Sequence, residues 1–285
     1  MLINSDKFLI WFSKIIKYKN HPFELENKNI MTFEEWEYLK APVTMSYFKD
    51  YFDLKSCFID KSILDIGCGG GGKTIYLHKF SPSELIGVDI NTEFINKAVN
   101  FSKQFDINPR TKVKFMIGDA ENLPFESESF DFITMMDTFE HFSNPEKVLK
   151  EAGRVLKKNG MILISFPPFY HPFGAHVRDL IPIPWVHIFF SEKAIASAYY
   201  KLSFFKKDGE MRRNLKIGRD EFGNYNINYI NKMTLNKCRN ILKAVDLNLK
   251  YFKLIPLWYS FMPFRNIKVH EIFIKNVVII LKKGE

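Results

Sequence analysis

The stretch Ile63-Leu-Asp-Ile-Gly-Cys-Gly-Gly-Gly-Gly-Lys-Thr74 satisfies three loop spacings at once. Gly67, Gly69 and Gly72 spell G-x-G-x-x-G, the dinucleotide spacing, while Gly67 through Thr74 spell G-x-x-x-x-G-K-T, the phosphate-loop spacing. Asp65, Gly67, Gly69 and Gly71 spell D-x-G-x-G-x-G. All three need an apolar strand, a glycine turn that lets a ligand reach the backbone, and a helix N-terminus. The stretch predicts an α/β sheet with a nucleotide-like ligand at a strand end, and leaves the ligand open.

Charge narrows the choice. Asp65 stands two residues before the first glycine, so a diphosphate there would face a carboxylate, at a cost of about 1 to 4 kcal/mol at contact distance. A cationic, phosphate-free nucleotide would be attracted instead. Downstream, Leu85-Ile-Gly-Val-Asp89 is an apolar strand ending in an acid suited to a ribose diol. Val113–Asp119, Phe130–Asp137 and Gly160–Phe166 read as a third, fourth and fifth strand. The phosphate-loop reading keeps one point, because Ile133-Thr-Met-Met-Asp137 also suits an apolar strand ending in a magnesium-binding aspartate.

The ordered series D-x-G-x-G-x-G, G-V-D, G-D-A-E-N-L-P-F, F-D-F-I, E-H-F and R-V-L-K-K-N-G-M-I-L-I-S spans residues 62–166. It resembles the class I S-adenosylmethionine-dependent methyltransferases, in the branch of the quinone, sterol and sugar methyltransferases. The resemblance implies a Rossmann-like seven-stranded α/β sheet with helices on both faces and the last strand antiparallel. It also implies S-adenosylmethionine as methyl donor and S-adenosylhomocysteine as product. On that basis Asp65, Gly67, Gly69 and Gly71 hold the methionine moiety and Asp89 the ribose, with Cys68 and Ile90 also among the cofactor-binding residues. Asp119 with Ala120 meets the adenine, and Met136 and Asp137 line the floor beneath the sulfonium. Lys73 would merely start a helix and matter little.

The 285 residues, 46% hydrophobic and 26% charged, suffice for one globular α/β core with additions. Cys57, Cys68 and Cys238 form no paired spacing, which points to a reducing, cytoplasmic setting. Cys68 reads as a small residue tolerated in the turn. No apolar run reaches the roughly 18 residues that span a bilayer, and no secretory leader is evident. The net charge of +9 raises the question of an anionic partner, but the lysines are scattered. Phe8–Lys19 mixes apolar residues with Lys14, Lys17 and Lys19 at helical spacing, either a membrane-surface or substrate-covering helix or one packed on the core.

Four segments are expected: an N-terminal helical extension (1–60), the cofactor-binding core (61–166), a lid insertion after the fifth strand (167–233) and the C-terminal part of the core (234–285). Core helices are expected near 73–80, 92–105, 145–157 and 234–246, with late strands near 249–259 and 271–282. The insertion holds prolines, aromatics and no clean alternation of elements. It leaves from a strand end, where such sheets bind ligands, and is expected to recognise the methyl acceptor.

Methyl transfer needs alignment, and a base only if the acceptor must lose a proton. The candidate bases are His171 and His176, then His141, with His187 nearby. The spacing His171-x4-His176-x10-His187 is not a standard ligand set, so no metal is expected. The fourth strand ends in Asp137-Thr-Phe-Glu rather than an N/D-P-P-Y/F motif, which disfavours amino-group methylation of DNA. The expected function is methylation, at oxygen, of a small molecule, glycan or lipid-linked precursor. The alternatives are an RNA or protein methyltransferase and a non-catalytic S-adenosylmethionine-binding protein.

Overall fold

The computed structural model describes residues 3, 5–16, 21–257 and 271–285. Lys17, Lys19 and the end of the strand expected over 249–259 lie outside them. The chain begins with α1 (Asp6–Ile15), α2 (Pro22–Asn27), α3 (Phe33–Ser46) and α4 (Leu54–Phe58). There follow β1 (Ser62–Ile66), α5 (Gly72–Tyr76), β2 (Glu84–Asp89), α6 (Thr92–Ser102), β3 (Lys112–Ile117), β4 (Phe130–Met136), α7 (Pro145–Val155) and β5 (Leu156–Phe166). After β5 come α8 (Val186–Phe189), α9 (Glu192–Ser203), α10 (Gly209–Lys216), β6 (Ile217–Arg219) and β7 (Tyr225–Ile227). The series closes with α11 (Leu235–Ala244), β8 (Asn248–Pro256) and β9 (Ile274–Lys282). Two compact units result: Met1–Thr32 with Pro167–Leu235 and Pro256–Lys275, and Phe33–Phe166 with Asn236–Ile255 and Asn276–Glu285.

The second unit carries a seven-stranded sheet in the order β3-β2-β1-β4-β5-β9-β8. β1 pairs in parallel with both β2 and β4, whereas β9 runs antiparallel to β5, as expected for the last strand. Ile63 and Leu64 point to opposite faces and both are fully buried, so the sheet is covered on both sides. One face packs Ile63, Leu85, Phe132, Leu163 and Val278 against Phe48 of the loop after α3 and Phe58 of α4. Strand order reverses at β1, since β2 and β3 lie to one side and β4 and β5 to the other. That is the switch point where such sheets open a crevice beyond the strand ends.

Several boundaries differ from expectation. α5 ends at Tyr76 and tightens into a 3-10 turn over Leu77–Phe80. α7 stops at Val155 because Leu156 is already extended and pairs with Phe130, so Leu156–Asn159 is strand rather than turn. α3 and α4, expected in an N-terminal extension, share the sheet's unit.

The first unit has its own core. Leu9 of α1 packs with Val177, Ile181, Ile195 and Tyr199, and the stretch expected to show no clean alternation of elements carries α8, α9 and α10 followed by the short β6-β7 hairpin. Ser191 caps α9 by accepting from the Ala194 N–H. At the centre of this unit Asp179 is fully buried and accepts from Tyr199 Oη at 2.7 Å, Arg212 Nη1 at 3.1 Å and Lys216 Nζ at 2.9 Å. Burial raises its pKa, but Lys216, His21 and Arg212 outweigh it and hold the carboxyl below the usual aspartate range. Asp179 therefore contributes stability above the unfolded aspartate pKa, lost as pH falls through the depressed folded value. Asp179→Ala would strip Lys216 of its carboxylate and leave Arg212 with Asp208 alone. It should cost about 3–5 kcal/mol, read as faster amide exchange in α9 and α10.

Candidate functional site

β1, β2 and β4 end side by side, and the turn after β1 is held among them. The N–H groups of Gly67 and Cys68 both donate to Val88 O, which pins the turn to the end of β2. Gly69 N–H donates to Asp89 Oδ2 at 2.9 Å, and Asn91 N–H to Asp89 Oδ1 at 2.8 Å. Gly72 begins α5 against the backbone of α3, where a Cβ would sit 2.3 Å from Glu34 O, so only glycine fits. Gly69 differs. At φ +53° it needs glycine for its conformation, yet a Cβ there would meet nothing nearer than Glu37 Oε2 at 3.7 Å. The turn is therefore open above Gly69 and closed by packing at Gly72. Gly67 and Gly71, with φ of +72° and +80°, complete it.

Carboxylates dominate the surroundings. Asp65 is buried, its Oδ2 accepting from Thr74 Oγ1 at 2.5 Å and its Oδ1 from Thr134 Oγ1 at 2.7 Å. The register that pairs Asp65 with Thr134 sets the second bond. With both oxygens so engaged, Asp65 braces the turn from beneath, and burial pushes its pKa up. Burial likewise raises Asp89 and Glu37, and pushes the buried Cys68 thiol well up, so Cys68 is no thiolate nucleophile.

Lys73 departs most from its expected role. It is buried, and its Nζ donates to Met136 O at 3.2 Å and Asp137 Oδ2 at 2.8 Å, with Glu37 Oε1 at 3.2 Å. Burial disfavours its charge, but Asp137 and Glu37 outweigh that and hold its pKa above the ordinary lysine value. Its ammonium is thus committed to carboxylates and cannot serve a phosphate as the lysine of a phosphate loop does. Lys73→Ala would strand Asp137 and Glu37 and should destabilise the second unit by about 3–5 kcal/mol, measured by denaturant unfolding. Lys73 thus matters through folding.

Asp137 adopts φ +55° just beyond β4, its N–H donating to Ser165 O at 2.7 Å and its Oδ1 receiving Asn276 Nδ2 at 3.4 Å. Met136 beside it is buried, while Ile90 beyond β2 is 72% exposed. Asp119 is exposed beyond β3 and accepts from Glu121 N–H at 2.8 Å, with Ala120 next to it. His141 ends a 3-10 turn (Phe139–His141) after β4, its Nε2 3.7 Å from Glu140 Oε1. Glu140 is buried, and burial followed by the charge of Asp137 raises its pKa well above the usual range.

His171 and His176 belong to the first unit. His171 Nδ1 accepts from Phe173 N–H at 3.1 Å, and the His176 carbonyl accepts from Lys216 Nζ at 2.7 Å. His187 is mostly buried against Phe169, and burial lowers its pKa to about 4, which keeps it neutral. The sequence reading missed Glu34 and Glu37. Their three-residue spacing on α3 was the available signal, since it puts both acids on one helix face.

Residues 64–164 match the methyltransferase domain family. Over 110 residues the chain is 38% identical to an uncharacterized methyltransferase, YcgJ, of Bacillus subtilis, covering 38% of this chain and 41% of that protein. It is 30% identical over 128 residues to a ubiquinone biosynthesis O-methyltransferase of Coxiella burnetii, covering 45% and 51%. The chain thus spans about half the length of these relatives. The crystal structure of the Bacillus YcgJ protein superposes with a TM-score of 0.52 at 20% identity, over 86% of this chain and 99% of that one, which shows a shared fold. The resemblance to class I methyltransferases holds for this domain.

Proposed function

We propose that the chain is an S-adenosylmethionine-dependent methyltransferase acting on a small molecule. The observation that carries the reading is the charge of the loop: carboxylates crowd it, and Lys73 is tied to two of them. Such a site repels a polyphosphate and suits a nucleotide bearing an ammonium and a sulfonium. Asp89 is the proposed partner of the ribose hydroxyls, Gly69 leaves the backbone approachable, Asp119 and Ala120 are proposed for the adenine, and Ile90 for the cofactor pocket. Bound there, S-adenosylmethionine supplies an electrophilic methyl group. The protein's part is to align the acceptor behind it and to exclude water.

Oxygen is the proposed acceptor atom, in keeping with the ubiquinone O-methyltransferase among the relatives, although others carry C- and N-methyltransferase names. The acceptor is a small-molecule, glycan or lipid-linked hydroxyl, and the segment 167–233 is the proposed source of its recognition. The proposed bases are His171, His176 and His141.

Calorimetric titration tests the donor. S-adenosylmethionine should bind and ATP should not, and Asp89→Ala should weaken binding about 10- to 100-fold, the loss of hydrogen bonds to a charged group. ATP binding that vanishes in Lys73→Met would overturn the reading. Because burial raises the Asp89 pKa, it protonates at higher pH than an exposed aspartate. Affinity should therefore begin to fall, on acidification, above the ordinary value of about 3.9, and Asp89→Asn should flatten that dependence.

For the acceptor, labelled S-adenosylmethionine and fractionated extract should yield a labelled small molecule, and labelled RNA or protein would refute the proposed class. Among the histidines, the base is the one whose alanine variant lowers kcat about 100-fold or more with KM for the donor unchanged. Wild-type turnover in all three variants would remove them.

A further inference from the structure

Helix α1 presents two apolar sides. Leu9 is fully buried in the core of the first unit, yet Phe8, Trp11 and Ile15 are 47, 58 and 57% exposed. These three recur every three or four residues and form one outward stripe. Lys7 and Lys14 are exposed along the same stripe. Phe205, just past α9, extends it: this ring is 75% exposed, and the Lys14 ammonium lies 5.5 Å from its centroid. Acids nearby are already engaged, since Asp6 accepts from Ser197 and Lys201, and Glu24 from Lys206. The outward face is thus aromatic and aliphatic, with positive charge set between the rings.

A folded soluble unit rarely exposes so many large apolar side chains together without a partner. A purely apolar protein partner would cover the rings but leave the ammoniums to be desolvated without compensation. An anionic bilayer accommodates both. Rings insert at the boundary between headgroups and acyl chains, and lysines beside them meet lipid phosphates. We propose that α1 and Phe205 form a docking face for an anionic lipid surface, with α1 lying in the plane of the interface. At ten residues α1 is about 15 Å long, suited to lying on a bilayer and too short to cross one. The proposal stands apart from methyl transfer, because its readout is binding.

The test is flotation of the full chain with vesicles of phosphatidylcholine alone or mixed with phosphatidylglycerol. The wild type should float with the mixed vesicles and be released as salt is raised. Trp11→Glu combined with Phe205→Glu should reduce the partition coefficient about tenfold or more, the loss of two inserted rings. Lys7→Gln and Lys14→Gln should each reduce it about fivefold. All four positions are exposed, so melting temperature should stay at the wild-type value. The proposal is overturned if the wild type ignores anionic vesicles, binds neutral ones equally well, or loses nothing in these variants. A self-association in sedimentation equilibrium that Trp11→Glu abolishes, without vesicle binding, would assign the face to a second copy instead.

Discussion

The ammonium of Lys73 has no water to face, and that constraint organises the ligand end of the sheet. An isolated buried ammonium costs several kcal/mol, so carboxylates must come to it. Glu37 arrives from α3 and Asp137 from beyond β4, while Asn276 of β9 meets the second oxygen of Asp137. Four pieces of chain distant in sequence are thereby fixed around one charge. Asp137 adopts a left-handed backbone there, a conformation that costs a non-glycine residue about 1 kcal/mol or more. The cluster also fixes the character of the loop. A lysine at this position of a G-x-x-x-x-G-K-T sequence normally answers phosphates, whereas here it is neutralised from within.

The sheet was legible because its central strands β1, β2 and β4 are apolar runs buried on both faces, and the acids at their ends were legible because strand ends bear function in such folds. What failed was whatever depends on contacts distant in sequence. Glu34 and Glu37 look like the solvated face of an ordinary helix, and only packing against a glycine turn more than thirty residues later buries them. Lys73 was misread for the same reason. Asp65 was read from its position alone, before its two threonine donors, Thr74 and Thr134, were known. Leu156-Lys-Lys-Asn-Gly160 carries turn chemistry, yet it forms strand because Leu156 pairs with Phe130. In 167–233 the prolines masked α9, although Ser191 followed by Glu-Lys-Ala-Ile-Ala-Ser-Ala is a capped helix on local grounds.

The two units differ in how charge is buried. Both hold cations away from water, Lys73 in one, Arg212 and Lys216 in the other, and both answer them with aspartate. Around the glycine turn acids outnumber the ammonium they surround, leaving a negative surplus beside an open turn. In the first unit the charges close on one another around Asp179, which favours a structural part for them.

Interleaving of the units bears on how the chain folds. Val277 of β9 pairs with Phe166 of β5, about 110 residues earlier, and the first unit draws on segments from before α3, after β5 and after β8. The sheet cannot close until the chain has passed through most of the other unit, and that unit cannot be completed until the sheet's own edge strand has been made. Neither can finish alone during synthesis. Contacts of such high order make folding slow and leave the mostly apolar Met161–Phe166 edge of β5 unpaired for a time, the species most prone to mispair with another copy.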